Sequence, residues 1–354
     1  MDTLTHALSG ALLARATEPH VRRADQLPRH WRMLVGFLTA AFPDSDFIFN
    51  FADPLTYLSM HRGVTHSIIL LPLWAALLAL IFFYLARKRY PWKAFVGMCA
   101  LGVGAHIAGD VITAFGTMIF APFSNWRLQL PTTFIIDLYF SGIIVLGLIA
   151  SAIWRRTRAP AVIALGALAS LVAFEGFQHQ RAVAVGAAYI DAQRLDGARA
   201  QAIPQPLSPF NWLVVVEQEK TYHLATINLV RDETLAPSQD AGWLARIDAS
   251  YSPVKNAHWL QVSRYGTDDE SLVETVWRLP SLARYRDFAM FPALLRIEHA
   301  PERTCVWFND LRFLMAERVN PFRYGACQRA GDMSWKVYRL VDAASGDLLN
   351  AIPD

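Results

Sequence analysis

The chain has 354 residues, enough for two domains, with a net charge of +3 and a pI near 8.8. Only 18% of it is charged and its mean hydropathy is +0.24, with the apolar residues gathered in the first half. That balance excludes an ordinary soluble globular protein, and no nucleic-acid partner is expected.

Met1–Ala16 ends in Ala14-Arg15-Ala16 but opens with Asp2 and carries His6. A cleaved signal peptide needs a basic start and a longer apolar run, so His6 is expected to stay in the protein. Leu4–Leu13 is too short to cross a bilayer and reads as a half-helix or interfacial helix. Trp31–Phe51 is a weak span interrupted by Pro43-Asp44-Ser45-Asp46. Ser67–Ala86, Ala94–Phe120, Phe134–Trp154 and Ala161–Phe177 approach or reach the roughly 20 apolar residues a span requires. The first half is therefore expected to be an α-helical polytopic membrane domain of four or five spans.

Lys and Arg alternate along the connecting loops. They crowd residues 15–32 (Arg15, Arg22, Arg23, Arg29, Arg32), 87–93 and 155–160, while Arg62 and Arg127 stand alone in the other two loops. Because cytoplasmic loops collect positive charge, 52–66 and 121–133 are expected outside, along with everything after about Gln178.

After Ala182 the hydropathy falls to that of a soluble protein, and Pro204, Pro206 and Pro209 punctuate a boundary. The expected organisation is a membrane-embedded domain over 1–180, a linker over 181–204 and a β-rich α+β extracytoplasmic domain over 205–354. Asn211–Val216 and Tyr222–Val230 read as strands around a turn at Glu217–Lys220, and Cys305–Leu314 and Ser334–Val341 have strand composition. Cys99 reads as a small buried hydrophobe. A Cys305–Cys327 bridge would require an oxidising compartment.

The chemistry resides in ionisable groups of the apolar half. His106 and Asp110 are four apart, so one helical face offers an imidazole and a carboxylate to a single ion. Ionisable groups inside a membrane are costly and usually functional, which weighs against a merely structural His–Asp hydrogen bond. Asp44 and Asp46 lie in a turn toward the outer end of the weak span. His61 and His66 are five apart and need an irregular backbone to approach one ion, which Gly63 could supply. Thr65 and Ser67 also suit a helix cap. Arg62 between the histidines suits an anionic substrate oxygen. Asp137 begins a span entering from outside, and His6 reaches the same level only if the N-terminal segment dips in from there.

The candidate ligands are His6, Asp46, His61, His66, His106, Asp110 and Asp137, with Asp44 and Arg62 assigned to catalysis. Imidazoles with carboxylates suit Zn(II), with Mn(II) or Fe(II) as alternatives, and argue against Ca(II) or all-oxygen Mg(II). So many ligands exceed one ion's needs, which indicates two ions or a share of supporting partners. A divalent cation lowers the pKa of water toward neutrality, which permits hydrolysis without a Ser or Cys nucleophile.

Met1-Asp-Thr-Leu-Thr-His6, Pro43-Asp-Ser-Asp46, His61-Arg-Gly-Val-Thr-His-Ser67, His106-Ile-Ala-Gly-Asp110 with Thr113 and Gly116-Thr117, and Ile136-Asp137 occur in that order. Over about residues 1–155 this resembles the YdjM-type bacterial membrane-bound metal-dependent hydrolases. The resemblance implies a multi-pass inner-membrane protein with a divalent-metal hydrolase site. The order is also similar to that of zinc-dependent phospholipase C, and this likeness alone points to a lipid or lipid-linked phosphoester substrate. The resulting expectation is hydrolysis at the outer face of the inner membrane. Two alternatives remain open: an ion- or proton-coupled transporter, and a metal-binding envelope scaffold whose β domain does the work.

Overall fold

A computed structural model describes every residue except 22, 52–53, 239, 341–347 and 352–354, and leaves out the side chains of 49–51 and 348–351. The chain divides into two compact units. The first comprises Met1–Phe47 and Met60–Phe177, the second Ile48–Ser59 and Gln178–Asp354.

The first unit is helical. Its helices are α1 (Thr3–Ala16), α2 (Arg29–Ala41), α4 (Leu71–Leu85), α5 (Lys93–Val111), α6 (Leu138–Ile153) and the start of α7 (Ala159–Gln193). Between α2 and α4 lie a 3-10 helix over Phe42–Phe51, the short α3 (Pro54–Met60) and a 3-10 turn at Val64–His66. Among the described helices, α5 and α7 are long and apolar enough to cross a membrane. A third span results only if Pro54–His66 and Leu71–Leu85, bent by 79°, act as one.

The count of two or three differs from the four or five expected, because apolar runs continue through breaks in the backbone. The run Ala94–Phe120 stops being helical near Val111, before the left-handed Gly116 at φ +86°. Phe134–Trp154 becomes helical only at Leu138, where Asp137 accepts a hydrogen bond from Phe140 N at 2.7 Å as an N-cap. Trp31–Phe51 breaks at Pro43, which has no N–H to continue the helical ladder. In contrast, α7 outruns its apolar segment. Its 35 residues extend about 52 Å at 1.5 Å each.

The segment expected as a half-helix or interfacial helix, α1, is packed inside the unit. Small residues let α1 cross α2 closely, since a Cβ on Gly10 would sit 2.1 Å from Gly36 O. At the far end of α1 the buried Arg15 hydrogen-bonds Glu18 and the Thr157 carbonyl, and donates to Arg155 O at 3.2 Å. Glu18 also takes Arg29 at 2.9 Å, and its carbonyl accepts from Arg158 at 3.0 Å. Two of the arginine-rich loops therefore meet at one end of α1.

The second unit contains two five-stranded sheets. The first has β1 (Arg199–Pro204), β2 (Asn211–Gln218), β3 (Thr221–Asn228), β4 (Ser252–Pro253) and β5 (Leu260–Ser263), with β4 and β5 both pairing with β3. The second orders β10 (Leu348–Ala351), β9 (Lys336–Leu340), β8 (Arg323–Arg329), β7 (Arg303–Asp310) and β6 (Pro292–Ala300) as an antiparallel meander. Short helices at Trp243–Ala249, Glu270–Trp277 and Ala283–Phe288 complete the mixed α/β unit. Residues 181–204, expected as a linker, hold the end of α7 and the whole of β1.

Cys305 and Cys327 oppose each other across β7 and β8 and are joined by a disulfide, while Cys99 is free and buried. Cross-linking residues 22 apart should stabilise the unit by about 3 kcal/mol through the unfolded chain. Cys305→Ser with Cys327→Ser should therefore shift a denaturant melt by about that amount. Unreduced denatured protein should expose a single alkylatable thiol. Gly10→Ala should cost about 1–3 kcal/mol by overpacking the α1–α2 crossing, seen as a lower melting temperature in detergent.

Candidate metal centre

Four side-chain atoms from three segments of the first unit converge, those of Asp44, His66, His106 and Asp110. All four atoms lie within 4.8 Å of one another. His66 Nε2 is 2.9 Å from His106 Nε2 and 3.1 Å from Asp110 Oδ2, and His106 Nε2 is 3.3 Å from that same oxygen. Asp44 Oδ1 stands 3.4 Å from His106 and 3.8 Å from His66.

A tetrahedral ion with bonds of 2.0–2.1 Å has ligand atoms about 3.3 Å apart, and the observed spacings scatter around that value. Asp110 Oδ2 is buried and has no hydrogen-bond partner, although two imidazole nitrogens face it. An orphaned carboxylate oxygen against two nitrogens 2.9 Å apart is unfavourable unless a cation joins them. The donor set fits a borderline metal such as zinc.

Breaks in the helices aim these groups. In the 3-10 ladder after α2, the residue that would donate to Ala40 O is Pro43, which has no N–H. Ala40 O accepts instead from His106 Nδ1 at 2.6 Å, which leaves the lone pair of Nε2 pointing into the cluster. The irregularity at His61–His66 falls on two residues. Arg62 has φ +59°, and a Cβ on Gly63 would sit 2.6 Å from Met60 O. The following turn sets His66, whose Nδ1 is 2.9 Å from Thr65 Oγ1. Ser67 accepts from Ile69 N at 3.1 Å in the turn before α4, whose N-cap Leu70 makes no side-chain cap bond.

The other oxygen of Asp110 is crowded with positive charge. Oδ1 takes the Met1 amino group at 2.7 Å, Arg62 at 2.9 Å and His6 Nε2 at 3.0 Å. Arg62 is 2% exposed, and it also donates to Thr113 Oγ1 at 2.8 Å and lies 4.7 Å over the Phe115 ring. Its guanidinium is thus engaged with Asp110, where the sequence suggested an anionic substrate. His6 stacks on His106 with ring centroids 3.7 Å apart, and Gly109 leaves it room.

Asp44 and Asp46 point in different directions, because two residues on a 3-10 helix are 240° apart. Asp44 lies in the cluster, held by Thr3 at 2.6 Å. Asp46 stands behind it, bonded to His61 Nδ1 at 2.8 Å and to Arg62 N at 3.0 Å. From the sequence Asp46 is the candidate ligand and Asp44 the candidate catalytic residue, whereas Asp44 is the one among the converging atoms. Asp137 caps α6 and is not among the converging atoms. Thr3 and Thr113 carried a sequence signal only as members of longer motifs, and nothing in the pattern marked the Met1 amino group.

A sequence profile described as YdjM inner membrane protein matches residues 1–182. The chain belongs to that family. It is also similar to the uncharacterized protein YfhP of Bacillus subtilis (strain 168), with 29% identity over 178 residues. That match covers 49% of this chain and 52% of YfhP, so the chain spans about half the length of this relative. No solved structure matches. Family membership makes this an inner-membrane protein in contact with the lipid bilayer.

His66→Ala, His106→Ala and Asp110→Ala should each abolish stoichiometric zinc-type metal in the purified protein. Asp137→Ala should retain the metal and lose only the stability of a helix cap, about 1 kcal/mol. Elemental analysis beside thermal melts separates the two effects.

Proposed function

We propose that the protein is a metal-dependent hydrolase of a lipid or lipid-linked phosphoester, acting at the outer face of the inner membrane. The observation that carries this reading is the buried, partnerless Asp110 Oδ2 among the nitrogens of His66 and His106. In this reading His66, His106, Asp110 and Asp44 hold one divalent cation, with zinc the best match to the donors. Such a cation supplies Lewis acidity, polarising a phosphoryl oxygen and acidifying water.

The remaining residues prepare the site. Arg62, His6 and the Met1 amine balance the charge of Asp110 and fix its orientation. The His61 imidazole is 13% exposed, and its Nδ1 lies 2.8 Å from the Asp46 carboxylate behind it. The pair serves as general base, a role the sequence had suggested for Asp44 or Asp46. Two features support the outward orientation. Arginine-rich loops gather at the end of α1 remote from His6, and a disulfide in the second unit suits an oxidising compartment.

Hydrolysis of a phosphodiester such as bis(p-nitrophenyl) phosphate should require metal, stop with chelator and return when zinc is restored. His61→Ala should lower kcat about 10²–10⁴-fold with metal content intact, as expected for loss of a general base. Activity indifferent to chelation and to His106→Ala would sink the reading. A second reading, ion transport, draws on the 79° break between Pro54–His66 and Leu71–Leu85, because transporters place ion sites at broken helices. Metal uptake into proteoliposomes, without hydrolysis, would favour it.

A further inference from the structure

Positive charge gathers on one face of the second sheet. Arg303 on β7 lies directly opposite Arg329 on β8, and Cys327, two residues before Arg329, lies opposite Lys336 on β9. Alternation along a strand puts Arg303, Arg329 and Lys336 on the same face as the Cys305–Cys327 disulfide. Directly opposed side chains are about 5 Å apart, and like charges at that spacing are destabilising. The disulfide clamps β7 to β8 two residues along, so the two guanidiniums are held together.

Among the described residues lining this face, the Asp332 carboxylate offsets these charges only in part. Arg303, Arg329 and Lys336 make no side-chain hydrogen bond or ion pair there. The acid nearest on the same face of β6, Glu298, is bound to Arg296 at 2.5 Å. The three cations line a cavity of about 70 Å³ with Ser334, Tyr338 and Asp332, and Cys327 forms part of its wall. That volume holds a few waters or one small oxyanion. Three positive groups less the Asp332 carboxylate leave two net charges, matched by a phosphate dianion. Two arginine forks with adjacent hydroxyls are the donor set that recognises phosphate oxygens.

We propose that Arg303, Arg329 and Lys336 form a binding site for a phosphate-type oxyanion, either free or as the headgroup of an anionic lipid. The site is separate from the metal centre and stands whether or not that centre is catalytic.

The test uses the full chain in nanodiscs of zwitterionic lipid at constant ionic strength. Calorimetry follows inorganic phosphate in one arm and dispersed short-chain phosphatidic acid in the other. Saturable binding of at least one probe is expected, weakened at least tenfold by Arg303→Gln with Arg329→Gln and tightened severalfold by Asp332→Asn. Binding of phosphate itself identifies a free anion as sufficient, and binding of the lipid alone identifies a headgroup. The bound probe should raise the melting temperature of the wild type and leave that of the double variant unchanged. Without either probe the double variant should melt no lower than the wild type, since a like-charge pair has been removed, and this also checks its folding. Lys336→Gln gives a second, milder variant with the same expected direction. Absence of saturable binding of both probes, or equal binding by wild type and double variant, overturns the proposal.

Discussion

A carboxylate with no solvent exposure, Asp110, sits inside a helical unit of low polarity, and the arrangement around it follows from that constraint. An isolated buried carboxylate is strongly unfavourable, so it must be matched by positive charge and donors. One oxygen meets an ammonium, a guanidinium and an imidazole, and the other is left facing two imidazoles. The asymmetry is informative. One oxygen is satisfied, and the other faces two imidazole nitrogens in a cluster that could hold a metal ion.

The same constraint accounts for the position of α1. A short apolar helix with a histidine near its start reads as a half-helix or an interfacial helix, and here its start lies against Asp110 through Met1 and His6. The glycines at 10 and 36 let the backbones approach closely enough to bring them there. The opposite end of α1 is secured by Arg15 against the loop between α6 and α7. A helix of 14 residues, about 21 Å long, thus connects a site at one level to an arginine cluster at another.

Parts of this were legible in the sequence for identifiable reasons. The spacing of His106 and Asp110 is a property of any α-helix, so their convergence could be read directly. The strands at Asn211–Gln218 and Thr221–Asn228 follow from their composition and the turn between them. Which of Asp44 and Asp46 joins the cluster could not be read, because that depends on a 3-10 segment whose three-residue turn separates side chains differently from an α-helix or an extended turn. Arg62 misled for a related reason. Its residue type suits a substrate anion, but its left-handed backbone directs the guanidinium inward to Asp110. The number of spans was overcounted because hydropathy does not register a left-handed glycine or a capping aspartate within an apolar run.

Those breaks and the site are one phenomenon. Irregular backbone is tolerated at membrane depth only where protein or a cavity satisfies its polar groups. Here the loop after α5 is satisfied by the residues that build the centre. Met118 N donates to Arg62 O at 2.9 Å, Ile68 N donates to Ile119 O at 3.0 Å, and Arg127 donates to His61 O at 3.1 Å. The loop therefore closes over the His61–Ser67 segment by backbone pairing joined by the Arg127 and Ser67 side chains, which holds His66 in place. The arrangement explains why short motifs scattered over more than 100 residues belong to one site. The motifs lie at or near helix ends, and freed carbonyls and amides of the breaks around His61–Ser67 and after α5 satisfy one another.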